Sequence, residues 1–315
     1  MSSHCNTTQI DSMGNLICYK KGNKGYKNSI MLAAHMDEVG FIISGITNEG
    51  YLRFKTVGGI DIRVITAKSV VVGPQKIPGV IGVIPPHLDE KENNATPKTG
   101  DLFIDIGAKD AEQAKKYINI GDYAGFDSKF MEFGSCLVKA KALDNRVGCY
   151  ILTELANYIY AHDVYFSFTV QEEVGCRGAA TAAYNVLPSV ALVVETTTCS
   201  DVIGTEKEDY STRLNQGAAI SLLDRTSYSD KGIVKALVTT AKNNNIKYQY
   251  KQTTLGGNDA GTIHLTENGI RTGVISVPCR YIHSPSSVAS KNDIEGCRDI
   301  IYNLLRSEES EEWSF

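Results

Sequence analysis

An α/β fold is what this sequence predicts: a mixed, mostly parallel sheet flanked by helices, with a small β-barrel-like domain inserted into it. Three observations lead there. From Gly134 onward apolar strands alternate with amphipathic helices, the pattern of layered α/β folds. Between Ser44 and Phe133 the texture changes to short β-branched runs broken by Gly and Pro, such as Val70-Val71-Val72-Gly73-Pro74, which suits a small barrel or sandwich. An apolar strand, Ser29 to Ala34, comes before that segment, so the larger domain is discontinuous: residues 1–43 and 134–315, with 44–133 inserted.

Taken in order, Ser29 to Ala34 reads as a buried strand that ends in His35-Met36-Asp37-Glu38. Within the inserted segment, Asp110 to Tyr117 reads as one short helix. Val147, Ile151, Leu155 and Tyr158 recur at helical spacing and predict an amphipathic helix starting near Asp144. Strands are expected at Tyr165–Val170, Val190–Val194, Tyr248–Thr253 and Gly273–Val277, with helices at Gly178–Tyr184, Lys231–Lys242 and Asp259–Thr266. A last helix opens at Ser290 with Asp293 three residues on, resembling a capping box, and carries Ile294, Cys297, Ile301 and Leu304 on one face. The acidic stretch Ser307 to Glu312 reads as a solvated, frayed end.

Composition excludes several classes of function. With 32 Lys+Arg against 36 Asp+Glu the net charge is −4, which gives no electrostatic reason to expect nucleic acid or an anionic membrane as partner. The longest apolar runs fall well short of the ~20 residues that span a bilayer. The first residues, Met1-Ser2-Ser3-His4-Cys5-Asn6, show no secretory signal, and the eight scattered cysteines contain no CxxC pair. A cytoplasmic protein with reduced thiols is expected, in which the sequons at Asn6 and Asn94 carry no meaning.

Ligands of open α/β sheets sit beyond the carboxyl ends of the strands, and there this chain gathers two histidines and several carboxylates. His35 and Asp37 follow the first strand, Glu172 and Glu173 follow Tyr165–Val170, Glu195 follows Val190–Val194, and His283 follows Gly273–Val277, while Asp144 opens a helix. Singly, each has a bland reading: Asp144 as a helix cap, His283 as a loop residue, Glu172-Glu173 as a solvated turn. Two adjacent glutamates at a buried edge repel unless a cation neutralises them. Imidazole with carboxylate suits a borderline ion such as zinc or cobalt. One bridging carboxylate, two terminal carboxylates and two histidines would hold two ions and leave one glutamate free as a general base.

Five ordered motifs now stand out: His35-Met36-Asp37-Glu38-Val39-Gly40, Ala142-Leu143-Asp144-Asn145-Arg146, Gln171-Glu172-Glu173-Val174-Gly175, Gly256-Gly257-Asn258-Asp259-Ala260-Gly261 and Tyr281-Ile282-His283-Ser284-Pro285. In order and spacing they resemble the M42 family of dinuclear metallo-aminopeptidases, the tetrahedral aminopeptidases sometimes misnamed endoglucanases. The resemblance covers about Asp11 to Leu305. It implies the zinc-exopeptidase type of fold, and one metal held by His35, Asp144 and Glu195. A second metal would be held by Asp144, Glu173 and His283, with Asp144 bridging. Glu172 would be the base acting on a water shared by the two ions, and Asp37 would orient His35. The inserted segment would be a dimerisation and assembly module, giving a dimer-based homo-oligomer, with a dodecamer as the family's usual end state. Substrates would be short peptides, cut after their first residue.

Two departures from the family pattern are visible. Members usually carry a helix and a loop before the segment resembling Asp11 to Leu16; loss of that cover predicts lower stability and looser assembly with the ligands intact. Asn258 stands where the family often has Thr, a replacement expected to matter little. Rival readings are a catalytically silent assembly protein of the same fold and a glycoside hydrolase, although Glu172 and Glu173 are too close in sequence to flank a glycosidic bond. His4, in a disordered tail, His87, His162, at a helix C-terminus, and His264 read as structural, as do the thiols, and Asp259 as a helix cap after the Gly256-Gly257 turn. Arg146, Arg177, Arg213 and Arg280 are the cations that could approach the pocket and favour acidic substrates.

Overall fold

In the computed structural model the described residues are 1–26, 28–85 and 96–306. His87, the Asn94 sequon and the Ser307 to Glu312 tail lie outside them. The chain forms, in order, β1 (Thr7–Ile10), β2 (Leu16–Lys20), β3 (Ser29–His35), β4 (Gly40–Ile46), β5 (Leu52–Val57), β6 (Ser69–Val72), β7 (Ile77–Val83), β8 (Leu102–Asp105), α1 (Ala111–Ala114), β9 (Tyr123–Phe126), β10 (Met131–Phe133), β11 (Leu137–Ala140) and α2 (Leu143–Leu155). There follow β12 (Asp163–Thr169), α3 (Arg177–Val186), β13 (Val190–Thr198), β14 (Ala218–Ser221), α4 (Lys231–Asn243), β15 (Tyr248–Tyr250), α5 (Ala260–Ile263), β16 (Arg271–Arg280), β17 (Ser287–Ser290) and α6 (Lys291–Arg306).

The large sheet runs β1-β2-β12-β3-β13-β16-β17-β11-β10, with β14 and β15 branching from β16. Its four central strands, β12, β3, β13 and β16, are mutually parallel, and antiparallel strands flank them. Side chains alternate across this core with period two. Ile30, Leu32, Val190, Leu192 and Val194 join the helical face built with α2, α4 and α6, whereas Met31, Ala33, Ala191 and Val193 face the layer of α3 and α5. Both faces are covered, which is why these strands read as near-continuous apolar runs.

Strands β4-β5-β8-β7-β6-β9 close a separate barrel. Phe41 packs edge-on against Phe54 and Phe126 in its centre, with ring centroids 5.0 and 5.3 Å away. The barrel strands run from Gly40 to Phe126, and β10 already belongs to the large sheet, paired with β11. Only four residues, Met36 to Val39, separate His35 from the barrel, so the first strand of the main sheet delivers the chain directly into it.

Several local expectations are corrected. Helix α2 ends at Leu155, and Tyr158 lies beyond it, packed edge-on against Tyr302 of α6. His162 therefore does not terminate a helix; it is buried ahead of β12 against the Tyr26 ring. His4 is not in a disordered tail: its backbone joins the first turn and its carbonyl accepts from Lys20 Nζ at 2.9 Å. No capping box forms at α6, because Asp293 instead accepts the backbone N–H groups of Asn215 and Gly217, leaving Ser290 Oγ to accept from Asn292 N. The strand expected at Tyr248–Thr253 stops at Tyr250. Strand β13 continues through Thr198, so Glu195 lies inside it, and β16 continues through Pro278, where β14 has left its edge and β17 has not yet joined. A missing N–H is tolerated at such an unpaired position.

Candidate metal centre

His35 closes β3 and is 1% exposed. Its Nδ1 faces the carbonyl of Asp37 at 3.1 Å and the Asp37 carboxylate at 3.5 Å, while Nε2 faces Asp144 Oδ1 at 3.3 Å, Glu195 Oε2 at 3.6 Å and Glu172 Oε2 at 3.9 Å. His283, in the loop after β16, mirrors it. Its Nδ1 lies 2.8 Å from the Gly59 carbonyl, and its Nε2 lies 3.1 Å from Asp144 Oδ2 and 3.4 Å from Glu173 Oε2. The two oxygens of Asp144 thus address one imidazole each. All five residues expected as ligands, and Glu172, meet in this one place.

Asp37 does more than approach His35. Its two oxygens accept the backbone N–H groups of Glu172 and Glu173, each at 3.1 Å, and so fix the turn that carries both glutamates. Asn15 clamps the same turn from behind: its side chain accepts from Val170 N and donates to Gly178 O. Burial alone would raise the Asp37 pKa, but His35 and the two backbone donors overcome it and hold the carboxyl below its usual range.

The donor set fits a cation. A carbonyl can only accept, so each Nδ1 must carry the proton, and each Nε2 then points a lone pair at carboxylate oxygens. Acceptors facing acceptors at 3.1–3.4 Å need a proton or a metal between them. Glu173 Oε1 and Glu195 Oε1 are buried and have no hydrogen-bond partner among the described residues. With protons alone to stabilise it, the cluster is strained. Burial pushes Glu172 up to about 8, with Asp259 and Glu173 adding to the shift and His35 opposing it. Burial, then Asp144, pushes Glu173 up to about 7. Glu195 lies well above the usual range, chiefly through burial. Burial opposes a charge on His283, yet Asp144 and Glu173 carry its pKa to about 9. Bound cations would replace those protons.

The family model described as M42 glutamyl aminopeptidase matches residues 14–300. The chain belongs to the M42 peptidase family. A putative aminopeptidase of Acetivibrio thermocellus is 41% identical over 94% of this M42 chain and 87% of its own length. The structure of an aminopeptidase from the archaeon Desulfurococcus kamchatkensis superposes with a TM-score of 0.94 at 38% identity, covering 100% of this chain and 88% of the other. The TET1 peptidase of Pyrococcus horikoshii, described as assembling into a tetrahedron or a large octahedral shell, matches with a TM-score of 0.84 at 33% identity over 96% of this chain and 89% of its own. Aminopeptidase activity is therefore the chemistry of this M42 fold.

Beside the carboxylates lies a cavity of about 220 Å³ lined by Thr196, Thr197, Ser221, Lys251 and Asn258 among others. Among the described residues, Lys251 is the one lysine or arginine that lines it. None of the four arginines singled out in the sequence lines it. Arg280 pairs with Asp201 at 2.6 Å, Arg213 stacks over Tyr210, Arg146 reaches toward the Met36 carbonyl at 3.4 Å, and Arg177 is exposed at the start of α3. Lys251 escaped notice because it follows a three-residue strand and carries no motif signal. Gly58 and Gly59 fall in the Gly-broken texture of the inserted segment and carry no motif of their own. In the structure Gly58 has φ +79° and lies against Glu173, so that a Cβ there would meet Val39 Cγ1 at 2.8 Å. Asp259 heads α5 without capping it: Oδ2 accepts from the Thr169 hydroxyl at 2.5 Å.

Proposed function

We propose that this chain is a dinuclear metal-dependent aminopeptidase acting on short peptides. The observation that carries the reading is Asp144, whose two oxygens face His35 and His283 separately, each imidazole having its other nitrogen committed to a backbone carbonyl. One ion would be held by His35, Asp144 and Glu195, the other by Asp144, Glu173 and His283, with zinc or cobalt suited to this mixture of nitrogen and oxygen. When bound, divalent ions would supply Lewis acidity for the attacking water and the scissile carbonyl.

The protein's own groups do the rest. Glu172 is partly buried, farther from His35 Nε2, at 3.9 Å, than Asp144 or Glu195, and next to the cavity, which suits it to take the proton of the attacking water and return it to the departing amine. The cavity of about 220 Å³ accommodates the first residue of the peptide. A second, more open cavity of about 550 Å³, running from the other side of His283 past Arg63 and Lys68 of the barrel region, leaves room for the remainder. Lys251, whose Nζ donates to the Leu255 carbonyl at 3.0 Å, suits an acidic first side chain.

The inserted barrel is the assembly module in this reading, and the protein forms a dimer-based homo-oligomer; the shell-forming relative supports this. Aminoacyl chromogenic substrates assayed with zinc and with cobalt, alongside elemental analysis and light scattering, test the proposal together. Two ions per chain, turnover abolished by chelation and restored by metal, and an oligomer are expected. A metal-free monomer active in the presence of chelator would refute it.

A further inference from the structure

Two residues that head helices turn their side chains away from those helices. Cys176 precedes α3 and Asp259 precedes α5, and neither caps its helix, although aspartate in that position ordinarily accepts a helix amide. Both face Glu172 instead. The Cys176 thiol donates to Glu172 Oε1 at an Sγ-to-oxygen distance of 3.5 Å, and the ligating atoms of Glu172, Cys176 and Asp259 all lie within 4.8 Å of one another. Asp259 is 0% exposed, and its Oδ1 has no hydrogen-bond partner among the described residues.

The dimensions match a soft cation. A zinc ion about 2.3 Å from a thiolate and about 2.0 Å from a carboxylate oxygen, at the tetrahedral angle, separates sulfur from oxygen by about 3.5 Å, as found between Cys176 and Glu172. The group is also held in place. Cys176 N donates to Glu172 O at 2.9 Å, closing the turn, and Thr169 anchors Asp259 through its other oxygen.

We propose that Glu172, Cys176 and Asp259 form a third cation site, distinct from the centre around Asp144, which takes a thiophilic divalent ion and silences Glu172 when filled. Sulfur with two carboxylates selects zinc or cadmium over magnesium or calcium. Binding displaces the thiol proton and any carboxyl proton to solvent, with no change of oxidation state. The inhibitory consequence rests on Glu172 being the base: once it ligates an ion, it cannot accept the proton of water. Metal then activates at low occupancy and inhibits in excess.

The test uses the full chain, equilibrated with cadmium and, separately, with zinc, as wild type and as Cys176→Ala, Cys176→Ser and Asp259→Asn. Ions per chain are counted by elemental analysis, and the ultraviolet thiolate-to-cadmium charge-transfer band is recorded. The wild type should hold one ion more than either Cys176 variant and show a stronger band, Asp259→Asn should weaken that ion at least tenfold, and only the wild type should lose activity tenfold or more in excess zinc. Equal ion counts in the wild type and both Cys176 variants would overturn the site, and an extra ion without inhibition would overturn its silencing role. A Cys176-dependent ion in a protein without peptidase activity would leave the site standing and overturn only the reading of the reaction.

Discussion

Gly59 and His283 are 224 residues apart in the chain, yet the Gly59 carbonyl accepts from His283 Nδ1 at 2.8 Å. A turn leaving the barrel thereby sets the tautomer of an imidazole in the main sheet and aims its Nε2 at Asp144 and Glu173. The barrel is consequently part of the site's construction.

Gly58→Ala should damage the site without replacing a candidate ligand. At φ +79° a side chain is strained, and its Cβ would meet Val39 at 2.8 Å and Glu173 at 3.2 Å, so a cost of about 1–3 kcal/mol is expected. Thermal unfolding should show the loss, and titration with metal should show weaker binding. Unchanged metal affinity would mean that the Gly58-Gly59 turn does not position His283 or Glu173.

Replacing Glu172 and replacing Asp144 should give opposite signatures. Glu172→Gln is expected to lower turnover about 10²- to 10⁴-fold while two ions stay bound. Asp144→Ala should release both, because its two oxygens serve both imidazoles. Elemental analysis and steady-state kinetics on the same preparations decide the matter: near-normal turnover in the first variant, or two ions in the second, would refute the roles assigned.

Lys251→Met should alter selectivity more than rate. A hydrogen bond to a charged partner is worth about 1.5–3 kcal/mol, so kcat/KM for glutamyl substrates should fall roughly 10- to 100-fold, with alanyl substrates nearly unaffected. Comparing chromogenic substrates with dipeptides separates an acidic side chain from a terminal carboxylate as the group bound. A loss confined to dipeptides would assign Lys251 to the terminus, and an equal loss on all substrates would remove it from recognition.

Stability should depend on Asp230 in a defined pH window. Asp230 caps α4, accepting from Gly232 N and Ile233 N, and pairs with Arg271 of β16 at 2.9 Å; Arg271 first, outweighing partial burial, holds its carboxyl below the usual range. A depressed folded-state pKa gives stability that is present above the unfolded carboxylate value of about 3.9 and lost as pH falls through the folded value. Asp230→Ala should therefore cost about 0.5–2 kcal/mol near neutrality and progressively less in acid. Urea midpoints at neutral and acidic pH measure it, and a constant difference across that range would contradict the ionic contribution.

What could be read from the chain alone was the period of each element and the chemistry at its end. Continuous apolar runs such as Ile30–Ala34 and Val190–Val194 announce strands buried on both faces, and the carboxylates and histidines that follow them stand out because charge is costly at such a place. The change of texture after Ser44 marked the barrel for the same local reason. Boundaries were less legible. Glu195 lies inside β13 because its pairing with β16 carries the strand on to Thr198, and Asp293 prefers the amides of a distant turn to its own helix.

Only the tertiary structure decided which side chains share a cavity. Lys251 enters it while four arginines do not, and Cys176 and Asp259 face Glu172 while the helices they head go uncapped. The Gly59 carbonyl reaches His283 through the same closure. Periodicity reports whether a residue is turned inward, a property of a few neighbours along the chain. Which inward residues meet depends on how strands far apart in sequence are ordered and on where the barrel docks against them, and no local pattern carries that information.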